Sequence, residues 1–192
     1  MNYILASASP RRRELLSYIV KEFSVISSDF NENEVKYTNN PEEYVMDIAE
    51  GKAINVYANM QIKENSIIIS CDTIVLCDNE VLGKPGCEED AFFMLKKLSG
   101  KTHRVFSGFV VYNTNTGEII KKSVCTEVQF KQMSDCEIKE YIDKGESLDK
   151  AGAYGIQGAA AIYIKGIHGC YYNVVGLPLN ELYEVLRGMG QI

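Results

Sequence analysis

A chain of 192 residues, 46% apolar and 24% charged, has the make-up of a folded globular protein of one domain or two tightly joined lobes, and nothing in it suggests disorder. Its net charge of −6 disfavours DNA or RNA as a partner, because the one dense basic cluster, Arg11, Arg12 and Arg13, suits a small phosphorylated ligand better than a nucleic-acid track. No apolar run approaches the ~20 residues that cross a bilayer, and the start of the chain lacks the charge-first, long-apolar pattern of a signal peptide, so no membrane partner is expected and the chain reads as cytoplasmic.

In chain order, Tyr3 to Ala6 predicts a short buried strand, and Ser9-Pro10 opens a helix with Ser9 as N-cap and Pro10 at its first position. Phe23 to Ile26 predicts a strand, followed by a polar loop from Ser27 to Asn40. Asn40-Pro41 begins a second helix whose apolar stripe is Val45, Ile48, Ala49, Ala53 and Val56. Ile67 to Cys77 predicts a strand that turns at Asp78-Asn79 into Val81-Leu82. Glu88 to Leu98 predicts a helix stopped by Gly100. Two long strands, Arg104 to Tyr112 and Ile119 to Phe130, flank the turn at Asn113 to Gly117. Ser134 and Glu137 form a capping box for a helix to Lys144, with Gly145 as its stop. After a loop from Glu146 to Gly158, strands are expected at Ala160 to Lys165 and Tyr171 to Val175, then a last helix from about Pro178 to Arg187, ended by Gly188. Strands and helices interspersed with hairpins predict a mixed sheet rather than a purely parallel one. The six cysteines include no Cys-x-x-Cys pair and there are two histidines, which argues against zinc; Cys71 and Cys125, in apolar strand-like runs, are expected as buried reduced thiols.

Several residues are not explained by folding alone. Small residues from Ala6 to Ser9 lead into a helix N-terminus, where free N–H groups and the helix dipole suit a phosphate. Three arginines in that first turn oppose the dipole by ~0.3–1 kcal/mol each unless an anion is bound; a solvated basic turn is the alternative. Lys52 falls in the middle of the apolar stripe of the second helix, so it either snorkels to water or meets an anion. Asp72 interrupts an apolar strand, and such a carboxylate is either ion-paired or placed to bind a metal or accept a proton. Lys84, in Gly83-Lys84-Pro85, is either an ordinary turn lysine or, if the hairpin is tight, a neighbour of Asp72. The stretch from Asp149 to Gly158 holds three glycines and Gln157, whose amide suits the edge of a base. Asn173 to Pro178 needs no more than a structural turn.

Taken together, Ser7-x-Ser9-Pro10-Arg11-Arg12, the Glu32 region, Lys52-Ala53, Asp72-Thr73, Leu82 to Pro85, Leu98 to His103, Asp149 to Gly158 and Asn173 to Pro178 resemble the Maf family of nucleotide pyrophosphatases, in order and spacing from end to end. The resemblance implies one domain over residues 1–192 with two lobes: an α/β (mixed α+β) fold around a long curved mixed sheet with flanking helices and a central cleft, as in Maf and ITPase-like proteins. It implies cleavage between the α- and β-phosphates of a nucleoside triphosphate, a divalent cation (Mg²⁺ or Mn²⁺), and a homodimer. Asp72 is then the proton acceptor, with Lys52, Lys84 and Glu32 as catalytic partners and Glu32 and Asp72 as metal ligands; Glu34 is the alternative acid. Ser7, Ser9, Arg11, Arg12, Thr73 and Gln157 become substrate-binding residues. The Gly-rich segment resembles the branch acting on dTTP and UTP. Ser147-Leu148 departs from that branch's proline-containing stretch, Phe106 to Gly108 from its Thr-Gly pair, and His168 to Cys170 from a more acidic turn. Two rival readings are a non-catalytic nucleotide-binding regulator of septum formation, tied to arrest of cell division, and a sanitising pyrophosphatase for modified nucleotides.

Overall fold

A computed structural model describes residues 2–60 and 65–192. In chain order it contains β1 (Asn2–Leu5), α1 (Pro10–Ser17), β2 (Ser24–Val25), α2 (Pro41–Asn59), β3 (Ser66–Cys77), β4 (Glu80–Leu82), α3 (Glu88–Leu98), β5 (Thr102–Asn113), β6 (Glu118–Phe130), α4 (Asp135–Ile142), β7 (Ile164–His168), α5 (Tyr171–Val175) and α6 (Leu179–Gly188), with 3₁₀ turns at Glu32–Glu34, Ala151–Ala153 and Ala159–Tyr163. The seven strands form one sheet in the order β2-β1-β3-β5-β6-β7, with β4 paired to β3. β1 runs parallel to β2 and β3, whereas the β3–β4 and β6–β7 pairs are antiparallel, so the expected mixed α/β sheet is present.

The chain clusters into two compact units. The first comprises Met1–Asp72, Ser107–Val124 and Gly176–Ile192. Its core joins Ile4, Ile68 and Val110 of the sheet to Ala49, Ala53 and Val56 of α2. Those alanines let the helix lie close, and Gly108 carries the same logic further: a Cβ there would stand 2.5 Å from the Val45 carbonyl carbon of α2. The glycine in the departing segment Phe106 to Gly108 is therefore required by backbone approach.

The second unit comprises Thr73–Phe106 and Cys125–Val175. Its core gathers Leu95 and Leu98 of α3, Val128 and Phe130 of β6, Ile138 and Tyr141 of α4, and Tyr154 and Tyr163. His103 lies among them, in edge contact with Phe130 and Tyr154.

The local start and stop signals form as expected. Ser9 caps α1 by accepting from Arg12 N–H with Pro10 following, Asn40 caps α2 through Glu43 N–H, and the Ser134–Glu137 capping box is complete. Gly100 and Gly145 adopt φ of 74° and 72° after α3 and α4.

Three expectations are corrected. Tyr171–Val175, expected as a strand, is helical. Its β-branched and aromatic residues favour a strand locally, but winding turns Asn173 inward, where its amide donates to the Val105 carbonyl and to Thr126 Oγ1 at 3.0 Å each. The strand expected from Ala160 begins at Ile164, because Ala159–Tyr163 is a 3₁₀ turn whose first N–H is taken by the Glu146 carboxylate at 2.9 Å. Cys125 is exposed, whereas Cys71 is buried. β6 alternates at this end, with Thr126, Val128 and Phe130 inward, so Cys125 faces outward.

Candidate active site

The first unit brings together most of the residues singled out above. β1 pairs with β3 in the register Leu5↔Ile69, and Ala6 N–H extends the ladder by donating to the Ile69 carbonyl at 2.8 Å. The loop leaving β1 therefore emerges next to the part of β3 that carries Asp72. In that loop Ser7 Oγ accepts from Ser9 N–H at 3.2 Å and from Arg12 Nη1 at 3.4 Å. Arg12 Nε also donates to the Gly176 carbonyl at 2.9 Å, and the same oxygen receives the thiol of Cys71 at 3.1 Å. One carbonyl thus joins Arg12 to the residue before Asp72. It belongs to the Asn173 to Pro178 turn, which is more than a chain reversal. α1 has no acidic residue in its first turn, so Arg11, Arg12 and Arg13 all stand at the positive end of the helix dipole.

Lys52 is the centre of the acid–base arrangement. Its Nζ lies 2.7 Å from Asp72 Oδ1 and 2.7 Å from Glu32 Oε1. The side chains of Lys52 and Asp72 are 13% and 11% exposed, and that of Glu32 is 50% exposed. Lys52 therefore meets anions rather than snorkelling to water. Glu32, not Glu34, pairs with it; Glu34 accepts from the Asn31 amide at 3.4 Å.

The loop that delivers Glu32 is docked on α2. Ser28 Oγ donates to Asn55 Oδ1 at 2.9 Å, and Asp29 N–H reaches the same oxygen at 3.3 Å. The tip of the Phe30 ring abuts Gly51, where an added Cβ would fall 2.4 Å from Cζ. Two residues later the chain reaches Glu32, beside Lys52, which follows Gly51. Neither Phe30 nor Gly51 stood out in the sequence, because the contact joins a loop to a helix some twenty residues on.

Tyr44 was also missed. It precedes Lys52 by eight residues on α2, so both share a helix face, and its ring meets Tyr37 edge-on at 5.4 Å. Burial and then the charges of Asp72 and Glu32 push its phenol pKa up, against the opposing effect of Lys52. A helical spacing of eight from Lys52 was the available signal.

Thr73, Lys84 and Gln157 belong to the second unit. Thr73 is half-buried on β3, and Lys84 and Gln157 are exposed. The Gly83 to Pro85 turn and the Gly-rich segment are tied directly, Gly152 N–H donating to the Gly83 carbonyl at 3.0 Å. Gly152 (φ 66°) packs against Val75, and Ala153 also has positive φ, 61°. Tyr154 anchors the segment through its hydroxyl, 2.7 Å from His103 Nε2.

Among the described residues no three His, Cys, Asp or Glu side chains cluster as a metal cage. Two carboxylates nevertheless converge on the Lys52 cation, a pair of hard oxygen donors of the kind Mg²⁺ or Mn²⁺ uses together with substrate phosphates. No described helix is long and apolar enough to cross a membrane.

The profile of the Maf-like protein family matches residues 2–189. The dTTP/UTP pyrophosphatase of Clostridium tetani (strain Massachusetts / E88) is 51% identical over 99% of this chain and 98% of its own. That of Clostridium botulinum (strain Eklund 17B / Type B) is 56% identical over 97% of this chain and 98% of its own. The solved structure of the Staphylococcus aureus Ham1 protein aligns over 98% of this chain and 100% of its own, with 13% identity and a TM-score of 0.49. With a profile match along nearly its whole length and relatives about half identical over almost the full chain, this chain belongs to the Maf family.

Proposed function

We propose that the chain hydrolyses dTTP and UTP to the nucleoside monophosphate and pyrophosphate. The observation that carries the reading is the Lys52 ammonium held between Glu32 and Asp72, alongside a serine- and arginine-lined loop at a helix N-terminus. The relatives named dTTP/UTP pyrophosphatase support the substrate class.

In this reading Ser7, Ser9 and the first turn of α1 hold the triphosphate, and Arg11, Arg12, Lys52 and Lys84 neutralise it. Arg12 is oriented beforehand by Gly176 and Ser7, so little freedom is lost on binding. Asp72 accepts the proton of the attacking water. Lys52 holds that carboxylate in place through a 2.7 Å contact and, once an anionic substrate competes for the ammonium, releases it to act. Positioning and charge stabilisation supply most of the rate in phosphoryl chemistry. Glu32 and Asp72 are the residues that would hold a divalent cation, which when bound neutralises phosphate oxygens and polarises the phosphorus centre. Thr73 and Gln157 select the pyrimidine. A cytoplasmic homodimer completes the proposal, and sedimentation of the purified protein checks the dimer.

The test is a panel of nucleoside triphosphates with pyrophosphate and orthophosphate measured separately. Pyrophosphate with monophosphate, favouring dTTP and UTP, is expected. Asp72→Asn should keep the fold and slow release by ~10³-fold or more. Orthophosphate as the first product, or a variant close to wild type, would reject cleavage at the α–β bond or Asp72 as the base. Detectable turnover also separates this reading from a nucleotide-binding regulator without hydrolysis.

A further inference from the structure

In the second unit, the segment carrying Gln157 is bracketed by a carboxylate that phosphate chemistry does not call for. Glu146 Oε2 accepts from Ala159 N–H at 2.9 Å. A Cβ added to Gly158 would lie 2.0 Å from the same oxygen, so the carboxylate rests against the backbone just after Gln157. On the other side, Gly155 N–H donates to the Tyr141 hydroxyl at 3.3 Å, and a Cβ on Gly155 would meet the Lys150 stem at 2.6 Å. Lys150 closes the ring, its ammonium donating to the Glu146 carbonyl at 2.6 Å. Between these ends Gly158 N–H donates to the Gly155 carbonyl at 3.1 Å, making a tight turn with Gln157 exposed at its corner. Among the described residues none hydrogen-bonds the Gln157 amide, so the backbone of the turn decides where that amide is offered.

We infer that Glu146 is a positioning residue for base selection: its carboxylate holds the Gly155–Gly158 turn and thereby sets where Gln157 meets the base. The inference rests on the proposed selection of pyrimidines by Gln157. An amide that reads donor and acceptor together needs a fixed origin, and a displacement of ~1 Å is enough to lose the pairing. Glu146 touches neither phosphate nor base in this role, so its removal acts on KM and selectivity and leaves the chemical step in place.

The experiment compares pyrophosphate release from dTTP and from dGTP, with kcat and KM separated, in wild type, Glu146→Ala, Glu146→Gln, Gly158→Ala, Gln157→Ala and the Glu146→Ala/Gln157→Ala double variant. Glu146→Ala should raise KM for dTTP by about tenfold, with kcat within about twofold and dGTP use unchanged. Glu146→Gln keeps an acceptor oxygen and should restore most of the loss. Gly158→Ala pushes the same carboxylate aside from the backbone and should reproduce the loss even if Glu146→Ala fails to fold. The double variant should be no worse than Gln157→Ala, the sign of residues acting through one another. Equal losses for dTTP and dGTP, or additive losses in the double variant, overturn the inference alone. A wild type that uses both nucleotides equally overturns the selectivity reading and the inference with it.

Discussion

Replacing His103 with Gln should flatten the stability of the protein between pH 6.5 and 4. His103 is 1% exposed, its Nε2 bonded to the Tyr154 hydroxyl at 2.7 Å and its ring edge-on to Phe130 at 5.1 Å. Burial among aromatic rings disfavours the imidazolium and pushes the pKa down from 6.5 to about 4. The neutral form is thus the one the fold prefers. The unfolded chain takes up the proton first as pH falls, so this contribution is fully present above pH 6.5 and is lost as pH falls to about 4. That interval, at ~1.4 kcal/mol per pH unit, makes about 3 kcal/mol. Urea unfolding of wild type and His103→Gln at pH 7.5, 6.5, 5.5 and 4.5 gives the two curves. The variant starts lower at neutral pH, because it loses the ring contacts, but wild type should fall by about 2.5 kcal/mol more between pH 7.5 and 4.5. Glu137 is common to both proteins: Lys131 and the Ser134 backbone hold its carboxyl at about 2, so its contribution is lost between about pH 4.5 and 2 and cancels in the comparison. Parallel curves would refute the reasoning, since they would mean that His103 binds its proton equally in both states.

Two further changes test how the site is supported. Gly51→Ala should raise helix propensity in α2 by up to ~1 kcal/mol, yet its Cβ would fall 2.4 Å from the Phe30 ring and displace the loop that brings Glu32 to Lys52. Pyrophosphate release should therefore fall by about tenfold or more while the melting temperature changes little; retained activity, with Glu32→Ala inactive, would detach Phe30 from the positioning of Glu32. Ser147→Ala should be neutral or stabilising by up to ~1 kcal/mol, because its buried hydroxyl has no partner among the described residues and alanine removes the unmet bond. A clear loss in urea midpoint would show a bond to that hydroxyl.

The motifs made the ends of the helices legible. Ser9-Pro10, Asn40-Pro41 and Ser134 with Glu137 each satisfy backbone N–H groups within one turn, so the atoms involved are neighbours in sequence and the outcome needs no tertiary knowledge. The costly placement of Asp72 and Lys52 could also be read directly, because an ionised group in an apolar run demands a partner whatever the fold. What could not be read was the identity of that partner. Asp72 allowed an ion pair or a functional role, and in the structure it is ion-paired with Lys52 at the proposed site.

Local pattern failed where a buried polar group outweighed propensity. Tyr171–Val175 has the composition of a strand, but Asn173 reaches its two buried acceptors from a helical turn. The apolar run around Cys125 points to burial, whereas alternation along β6 turns its side chain outward.

By itself, the sequence determined where helices start and stop and which charges in apolar runs demand a partner, because those depend on short-range caps, periodicity and the cost of burying charge, while its motifs carried the resemblance to the Maf family. Only the tertiary structure decided which acid meets Lys52, that one Gly176 carbonyl serves both Arg12 and Cys71, and that Glu146 braces the turn of Gln157. Each of these joins segments distant in the chain or fixed by packing, and a contact of that kind exists only once loop and helix surfaces have been brought together.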